Sequence, residues 1–188
     1  MTDQPANRRE QILGRAAELF AERGFHGVSV ADLGAACGIS GPALYKHFES
    51  KDAMLAEMLV SISEELLAVG KERIADGEGL VGLVDWHVTF ALANKPLIVV
   101  QDRDWSSLPD DARERVRTLQ RKYVDLWVRQ LRDRHTGLSR PQALARVHAT
   151  FGLLNSTPHS AFMADAEMRT TLTEMALRAL DVAGTADG

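Results

Sequence analysis

Three consecutive residues, Tyr45, Lys46 and His47, place a hydroxyl, an ammonium and an imidazole group side by side. Ser40 lies shortly before them, and Lys51 follows at the start of a longer predicted helix. All of these groups can donate hydrogen bonds to phosphate oxygens, and the amino-terminal ends of helices add positive potential nearby. The pattern therefore predicts an edge of the protein that faces phosphate groups.

The segment that must position these groups has the spacing of a helix-turn-helix. Gly34 lies four residues before Gly38, and Leu44 lies six residues after it. A small residue lets two helices approach closely, a glycine at the turn can adopt a positive φ, and an apolar residue holds the second helix against the first. An ordinary helical hairpin that binds nothing has the same spacing, and it is the alternative reading of this segment.

The rest of the chain also shows helical patterns. Glycine, proline and capping residues divide it into about nine helical stretches, and strand-like alternation is absent apart from a β-branched run near Val99. The short stretches precede residue 52 and the long ones follow it. We therefore predict an all-α fold, with a three-helix head in residues 1–52 and a six-helix bundle in residues 53–188.

Composition limits the class of protein. The 188 residues are 45% hydrophobic and 26% charged, which is typical of a globular chain. The single cysteine, Cys37, excludes an internal disulfide and fits a reducing compartment, and no apolar run is long enough to cross a bilayer. We expect a cytoplasmic protein with no membrane partner. The net charge of −4 means that any contact with DNA must be local.

An enzyme is not expected. Residues 77–82 satisfy the pattern G-x-G-x-x-G, but a helical stretch precedes them where a dinucleotide site needs a strand. The six histidines are scattered, and we interpret His87 and His148 as core residues rather than ligands. The sequence predicts no catalytic residues, no metal site and no cofactor.

Residues 16–55, AAELFAERGFHGVSVADLGAACGISGPALYKHFESKDAML, resemble the DNA-binding segment of the tetracycline-repressor (TetR) family of bacterial transcription regulators. A small three-helix head on a six-helix body also fits that family. By position, the resemblance implies that Ser29 contacts a phosphate, that Tyr45 and His47 clamp the DNA backbone, and that Lys51 reaches it from the fourth helix. The residues implied to approach base edges in the major groove are Ser40, Gly41, Pro42, Ala43 and Lys46.

Three of the positions implied to approach base edges depart from the pattern that is usual in the family. Gly41, Pro42 and Ala43 offer no side-chain hydrogen bonds, so few bases should be read directly. Specificity should then depend on Lys46 and Tyr45, with contributions from DNA deformability and from the arginines at positions 8 and 9. The predicted head carries six cationic and seven acidic residues. A single head should bind poorly, so two heads on half-sites of a palindrome are expected.

The last two predicted helices carry apolar residues on more than one face and need cover on both sides. The resemblance implies that a second copy supplies this cover, which predicts a homodimer through helices 8 and 9. A fully internal position for these helices is the alternative. The residues concerned are Leu144, Val147, Phe151 and Leu154 on helix 8, and Met168, Leu172, Met175, Leu177 and Leu180 on helix 9.

Three pairs of residues four apart share helix faces in the predicted bundle. Because family members commonly bind a small effector among these helices, we take the pairs as a candidate lining for an apolar cavity; a plain core is the alternative. They are Trp86 and Phe90, Tyr123 and Trp127, and Phe151 and Asn155. Predicted helix 7 also has a cationic face, either solvated or able to meet the phosphates of an acyl-CoA, a ligand class known among relatives. Its residues are Arg113, Arg115, Arg117, Arg121, Lys122, Arg129, Arg132 and Arg134.

Together these features predict a ligand-responsive repressor of transcription. A small apolar or acyl-CoA-like effector would release it from a palindromic operator. Two alternatives stay open, namely a regulator that needs a co-repressor, and a helical adaptor or scaffold protein whose helix-turn-helix head is unused.

Overall fold

The computed structural model describes residues 4–160 and 162–180, with side chains from residue 8 onward. Within these ranges the backbone forms nine α-helices, two short 3-10 helices and no strand, which confirms the predicted all-α class. Residues 1–3 of the predicted head, and residues 161 and 181–188 of the predicted bundle, lie outside the described residues. No single helix in the described part is both long and apolar enough to cross a membrane.

The helices vary in length from four to twenty-five residues. They are α1 (Gln4–Arg23), α2 (Val30–Ala36), α3 (Gly41–Leu44), α4 (Lys51–Ala75), α5 (Gly79–Ala93), α6 (Lys95–Asp104), α7 (Asp110–Arg134), α8 (Arg140–Leu154) and α9 (Asp165–Ala179). The 3-10 helices are Trp105–Ser107 and Thr157–His159.

The chain forms two compact units. The head unit takes in Met1–Ile62 together with Pro96–Val116, and the body unit takes in Ser63–Lys95 together with Arg117–Gly188. The head unit therefore contains most of α6 and the start of α7 in addition to the helix-turn-helix. The assignment of DNA binding to residues 1–52, and of effector binding and dimerisation to residues 53–188, stays a prediction.

Local sequence explains where α2 and α3 begin. Ser29 accepts a hydrogen bond from the Asp32 backbone N–H at 3.1 Å, and Asp32 accepts one from the Ser29 N–H at 2.8 Å, which completes a capping box. Hydrogen bonds from Ser29 hold the pKa of the Asp32 carboxyl below its usual value. Ser40 caps α3 by accepting from the Ala43 N–H at 3.3 Å.

The close approach of α2 to the start of α3 requires a glycine. Gly34 is buried, and a Cβ placed there would lie 2.8 Å from the Ile39 carbonyl oxygen and 2.9 Å from the Gly41 nitrogen. Gly38 takes a φ of +65° at the turn, and Leu44 is buried against the head core. The spacing that predicted a helix-turn-helix is confirmed at all three positions.

Two adjacent charged residues tie α6 to the end of α1. The Arg103 guanidinium donates to the main-chain carbonyls of Phe20 and Ala21 in the last turn of α1, and the Phe20 carbonyl also accepts from the Gly24 N–H at 2.9 Å. Asp104 is buried and accepts a hydrogen bond from the Phe25 backbone N–H at 3.2 Å. These contacts make α6 part of the head unit.

The body unit has its own apolar core, formed by α5, α7, α8 and α9 with the second half of α4. Its largest fully buried side chain is Trp127. Gly70 allows close packing against Tyr123, because a Cβ there would lie 2.8 Å from the Tyr123 ring. The buried members are Leu67, Leu80, Leu83, Val84, Val88, Tyr123, Trp127, Val128, Leu131, Ala143, Val147, Leu154, Met168, Leu172, Ala176 and Leu180.

His87 is the buried polar residue at the centre of the body unit. Its Nε2 lies 3.1 Å from Asn155 Oδ1, and its Nδ1 lies 3.3 Å from the Tyr123 hydroxyl. Since a carbonyl oxygen only accepts, Nε2 carries the hydrogen and Nδ1 accepts from Tyr123. Burial lowers the pKa of His87 to about 4, so the ring is neutral at physiological pH. Its interpretation as a core histidine is confirmed.

Replacing Gly34 should damage the head, because any Cβ must push the turn away from α2. We expect Gly34→Ala to destabilise the head unit by about 1–3 kcal/mol. Amide hydrogen exchange in α2 and α3 measures this loss, since it reports local opening. The matched control is Gly14→Ala, because a Cβ at that helical position meets nothing within 4 Å. It should stabilise α1 by about 0.5–1 kcal/mol. Equal exchange rates in both variants would contradict the close-approach argument.

Stability should fall in acid through His87. Because its pKa is lowered from 6.5 to about 4 in the folded state, the unfolded chain binds a proton first as the pH falls. The contribution of the neutral His87 ring to the free energy of unfolding is complete above pH 6.5. Below that pH it falls by up to about 1.4 kcal/mol per pH unit, until about pH 4. Urea unfolding across this range, compared between the wild type and His87→Gln, isolates the effect. Parallel pH profiles would contradict it.

Candidate DNA-binding and effector sites

The predicted DNA-facing residues all lie in the head unit. Tyr45 is 54% exposed, and Lys46 and Pro42 are exposed beside it. His47 is half-buried, as are Gly41 and Ala43. The helix α3 ends at Leu44, so Tyr45, Lys46 and His47 lie in the turns that follow it. These three residues therefore lie at the carboxyl-terminal end of the segment Ser40–His47, which we call the reading segment. Ser40 is exposed at its start.

Two predicted phosphate contacts already have partners inside the head unit. The Ser29 hydroxyl is engaged with Asp32 in the capping box. The Lys51 ammonium donates to the Phe25 and Val28 carbonyls, each at 2.8 Å, and lies 4.3 Å from the centre of the Phe25 ring. An ammonium has three donors, so Lys51 can still contact a phosphate while it fastens the loop between α1 and α2. Both DNA contacts stay predictions.

The arginines expected to reach DNA from the amino terminus lie against the head instead. Arg8 donates to the Cys37 carbonyl at the end of α2. Arg9 pairs with Glu57 of α4, donates to the His47 carbonyl and stacks over the Phe48 ring at 4.1 Å. The expectation that Arg9 contributes to base readout stays a prediction, but its side chain already has partners within the head. Its partners are 38 and 48 residues away, so the sequence contained no local signal for them.

Lys46 is therefore the cation of the helix-turn-helix whose side chain has the fewest protein partners. Across described residues 8–62 it is the lysine or arginine for which the structure shows no hydrogen bond or ion pair. The neighbouring arginines 15 and 23 pair with Glu18 at 2.8 Å and with Glu22 at 3.8 Å. The positive charge available for DNA is thus concentrated beside Tyr45.

The candidate effector residues are brought together in the body unit. Tyr123, Trp127 and Phe151 have ring centroids 5.0–6.1 Å apart, and Trp127 packs edge-on against the other two. Phe90 lies 6.4 Å from Trp86. Asn155 joins the cluster through its hydrogen bond to the central histidine. All six predicted residues therefore lie in the same region of α5, α7 and α8, and their role as an effector lining stays a prediction.

The residue that the cluster prediction missed is His87. Its ring is nearly parallel to those of Phe151 and Tyr123, with centroids 4.8 and 5.8 Å away. The signal was present, because His87 directly follows Trp86 and lies three residues before Phe90. The other presumed core histidine, His148, is exposed on α8, so its interpretation as core is wrong.

The cluster is uncharged at neutral pH. His87 is neutral, and burial raises the pKa of the Tyr123 hydroxyl above its usual value, so that this group stays protonated. Trp86 is half-buried, but its indole N–H is fully buried and has no hydrogen-bond partner among the described residues. The indole N–H of Trp127 is also buried and without a partner among those residues, so the cluster offers aromatic surface together with two unused hydrogen-bond donors.

The outer faces of α8 and α9 are less apolar than expected. Val147 and Leu154, like Leu172 and Leu180, point into the body core. On the outside, Met175 is 49% exposed, and Phe162, shortly before α9, is 88% exposed. Leu144, Phe151 and Leu177 are half-buried. A surface for a second copy can form from these residues, and the homodimer stays a prediction.

Two further sequence patterns have structural explanations. The G-x-G-x-x-G pattern lies in the turn between α4 and α5, where Gly77 and Gly79 take φ values of +83° and +57°. A helix precedes it, as expected, and not a strand. On α7, Arg113 bonds to Asp110 and to the Leu108 carbonyl, and so supports the start of the helix.

Two family models match the chain. Residues 12–58 match the model described as "Bacterial regulatory proteins, tetR family", and residues 76–159 match "Tetracyclin repressor-like, C-terminal domain". Together they account for well over half of the chain. The first match includes the helix-turn-helix, and the second includes every residue of the aromatic cluster.

Individual relatives agree. The chain is 40% identical over 76 residues to "HTH-type transcriptional repressor KstR2" of Rhodococcus jostii (strain RHA1), an alignment that spans 40% of this chain and 37% of the relative. A TetR-family transcriptional regulator from Bordetella parapertussis 12822 has the same fold, with a TM-score of 0.80, 23% identity and coverage of 90% and 93% of the two chains.

A second solved structure contains a small ligand and DNA. It is AibR in complex with isovaleryl coenzyme A and operator DNA, with a TM-score of 0.68, 19% identity and coverage of 89% and 97%. The alignments to curated relatives span well under two thirds of those proteins, whereas the fold matches span nearly the whole chain. The helix-turn-helix geometry and the two model matches lead to one conclusion, that this chain belongs to the TetR family of bacterial regulatory proteins.

Proposed function

We propose that the protein is a DNA-binding repressor of transcription, released from its operator by a small effector. The observation that carries this proposal is the exposure of Tyr45 and Lys46 beside the α2–α3 crossing, where Gly34 and Gly38 fix the geometry. A bacterial cytoplasm is the compartment in which such a protein meets its operator.

Direct base reading would depend on few groups. Lys46 can donate to guanine O6 or N7, and the apolar surfaces of Pro42 and Ala43 suit a thymine methyl group. Tyr45, His47, Ser29 and Lys51 would contact phosphates, which position the head without reading sequence. With so little free positive charge, one head should bind weakly, and two heads on a palindrome supply the remaining affinity.

A homodimer through α8 and α9 provides the two heads. Exposed Met175 and Phe162, with half-buried Leu144 and Leu177, form the apolar part of the proposed interface. A two-fold axis would place the same patch of each copy against the other. The dimer thereby sets the distance between the half-sites.

The effector is proposed to bind at the aromatic cluster of the body unit. An uncharged, aromatic site favours an apolar group, and the buried Trp86 N–H would favour an acceptor oxygen such as a thioester carbonyl. An acyl-CoA has both features, and isovaleryl coenzyme A is bound to the relative AibR. The cationic residues of α7 would then meet its phosphates.

Release would follow from differential binding to two conformations of the dimer. Moving such an equilibrium from 1:99 to 99:1 requires about 5.5 kcal/mol, which ligands at two sites can supply together. If the effector instead favoured the DNA-binding conformation, the protein would need a co-repressor. An adaptor with an unused head would bind no DNA tightly.

The DNA contact is tested by fluorescence anisotropy with the DNA upstream of the protein's own gene, at several salt concentrations. We expect Lys46→Ala to weaken binding by about 1–3 kcal/mol, and Tyr45→Ala to weaken it less. The control is Lys71→Ala, which removes an exposed lysine from α4 within the body unit and should leave affinity unchanged. Absence of a tight, salt-sensitive wild-type complex would favour the adaptor.

The effector site is tested by titrating a series of acyl-CoA thioesters of increasing chain length into the protein–DNA complex. At least one should release the DNA. Trp86→Phe removes one of the two unpartnered indole N–H groups and keeps a ring, so it should raise the concentration for half-release several-fold without changing DNA affinity. Trp105→Phe, the same change in the head unit, is the control. Tighter DNA binding with a thioester would indicate co-repression, and no response would exclude this ligand class.

A further inference from the structure

We propose that Arg9 is a positioning residue for DNA binding, which holds the segment Tyr45–His47 in place without contacting DNA itself. This inference rests on the proposed function, because it concerns the segment assigned to the DNA backbone. It removes Arg9 from the set of DNA contacts and gives it, with Glu57, a role inside the head.

The Arg9 guanidinium uses both its edges and its face. Nε donates to Glu57 Oε1 at 2.7 Å, and Nη2 donates to Glu57 Oε2, so the pair is bidentate. Nη1 donates to the His47 carbonyl. The plane lies over the buried Phe48 ring at 4.1 Å. One side chain of α1 therefore joins α4 to the end of the reading segment.

The His47 carbonyl is the group that needs this partner. The amides of His47 and Phe48 bond to the Leu44 carbonyl at 2.9 and 3.1 Å, which holds the nitrogen side of the turn. The carbonyl side is held by Arg9. Because His47 and its neighbours present the proposed phosphate contacts, a shift of this carbonyl would move them all.

A planar guanidinium is required for this arrangement. Two parallel donors meet the carboxylate, a third donor reaches the carbonyl, and the flat face packs on an aromatic ring. A lysine ammonium is a point charge on a flexible chain and cannot hold all three partners together. Arg9→Lys should therefore keep the positive charge but fail to hold the segment Tyr45–His47 in position.

Anisotropy titrations against salt concentration separate positioning from direct contact. If Arg9 positions the segment, Arg9→Gln and Arg9→Lys should each weaken operator binding about tenfold with an unchanged salt slope. A direct phosphate contact would instead lower the slope by about one for Arg9→Gln.

The direction in which Glu57→Gln changes DNA affinity gives a second test. Removing a negative charge should strengthen DNA binding by electrostatics alone, whereas loss of positioning should weaken it. We expect about tenfold weaker binding, and no further loss in the double variant with Arg9→Gln, because both changes break one unit. The control is Glu18→Gln on the exposed face of α1, which pairs with Arg15 and should not weaken binding.

Amide hydrogen exchange at α1 and α4 checks that each variant stays folded, and faster exchange confined to residues 45–48 would support the proposal. Full affinity in Arg9→Lys, or tighter binding in Glu57→Gln, would overturn it. Failure of the wild type to bind DNA would overturn the proposed function instead, so the two failures are distinct.

Discussion

The geometry of the head depends on the absence of a side chain at Gly34. The backbone of the turn passes so close to α2 that a single Cβ would meet two main-chain atoms at under 3 Å. This approach sets the angle at which α3 leaves the turn, and with it the directions of Tyr45 and Lys46. A surface for binding DNA is thus determined by a buried backbone contact, several residues from any group that would touch a phosphate.

Most positive charge in the head unit serves main-chain carbonyls. Arg9, Lys51 and Arg103 each donate to one or two carbonyls where a helix ends or a loop turns. Such contacts add a hydrogen bond to carbonyls at helix ends and in loops, and they fix the connections between helices. Lys46 differs from these residues, because its side chain is exposed. A head with no net positive charge can therefore still present one cation beside Tyr45.

Sequence predicted what local spacing controls. The glycines at 34 and 38, the serine caps and the buried leucine at 44 act over a few residues, so the helix-turn-helix could be placed correctly. The contacts of Arg9 join residues 38 and 48 positions apart, and those of Arg103 join α6 to α1. The shared faces of three helices predicted the aromatic cluster, but the position of His87 at its centre emerged only from how α5, α7 and α8 pack.

The contribution of α6 to the head unit has a consequence for protein engineering. Recombining regulators by exchanging the amino-terminal fragment alone would separate Phe20, Ala21 and Phe25 from the Arg103 and Asp104 that bond to them. The chimera would then bury the residue-104 carboxylate of the recipient against a foreign loop. A functional chimera should transfer two discontinuous pieces of chain, Met1–Ile62 and Pro96–Val116, as a single cassette.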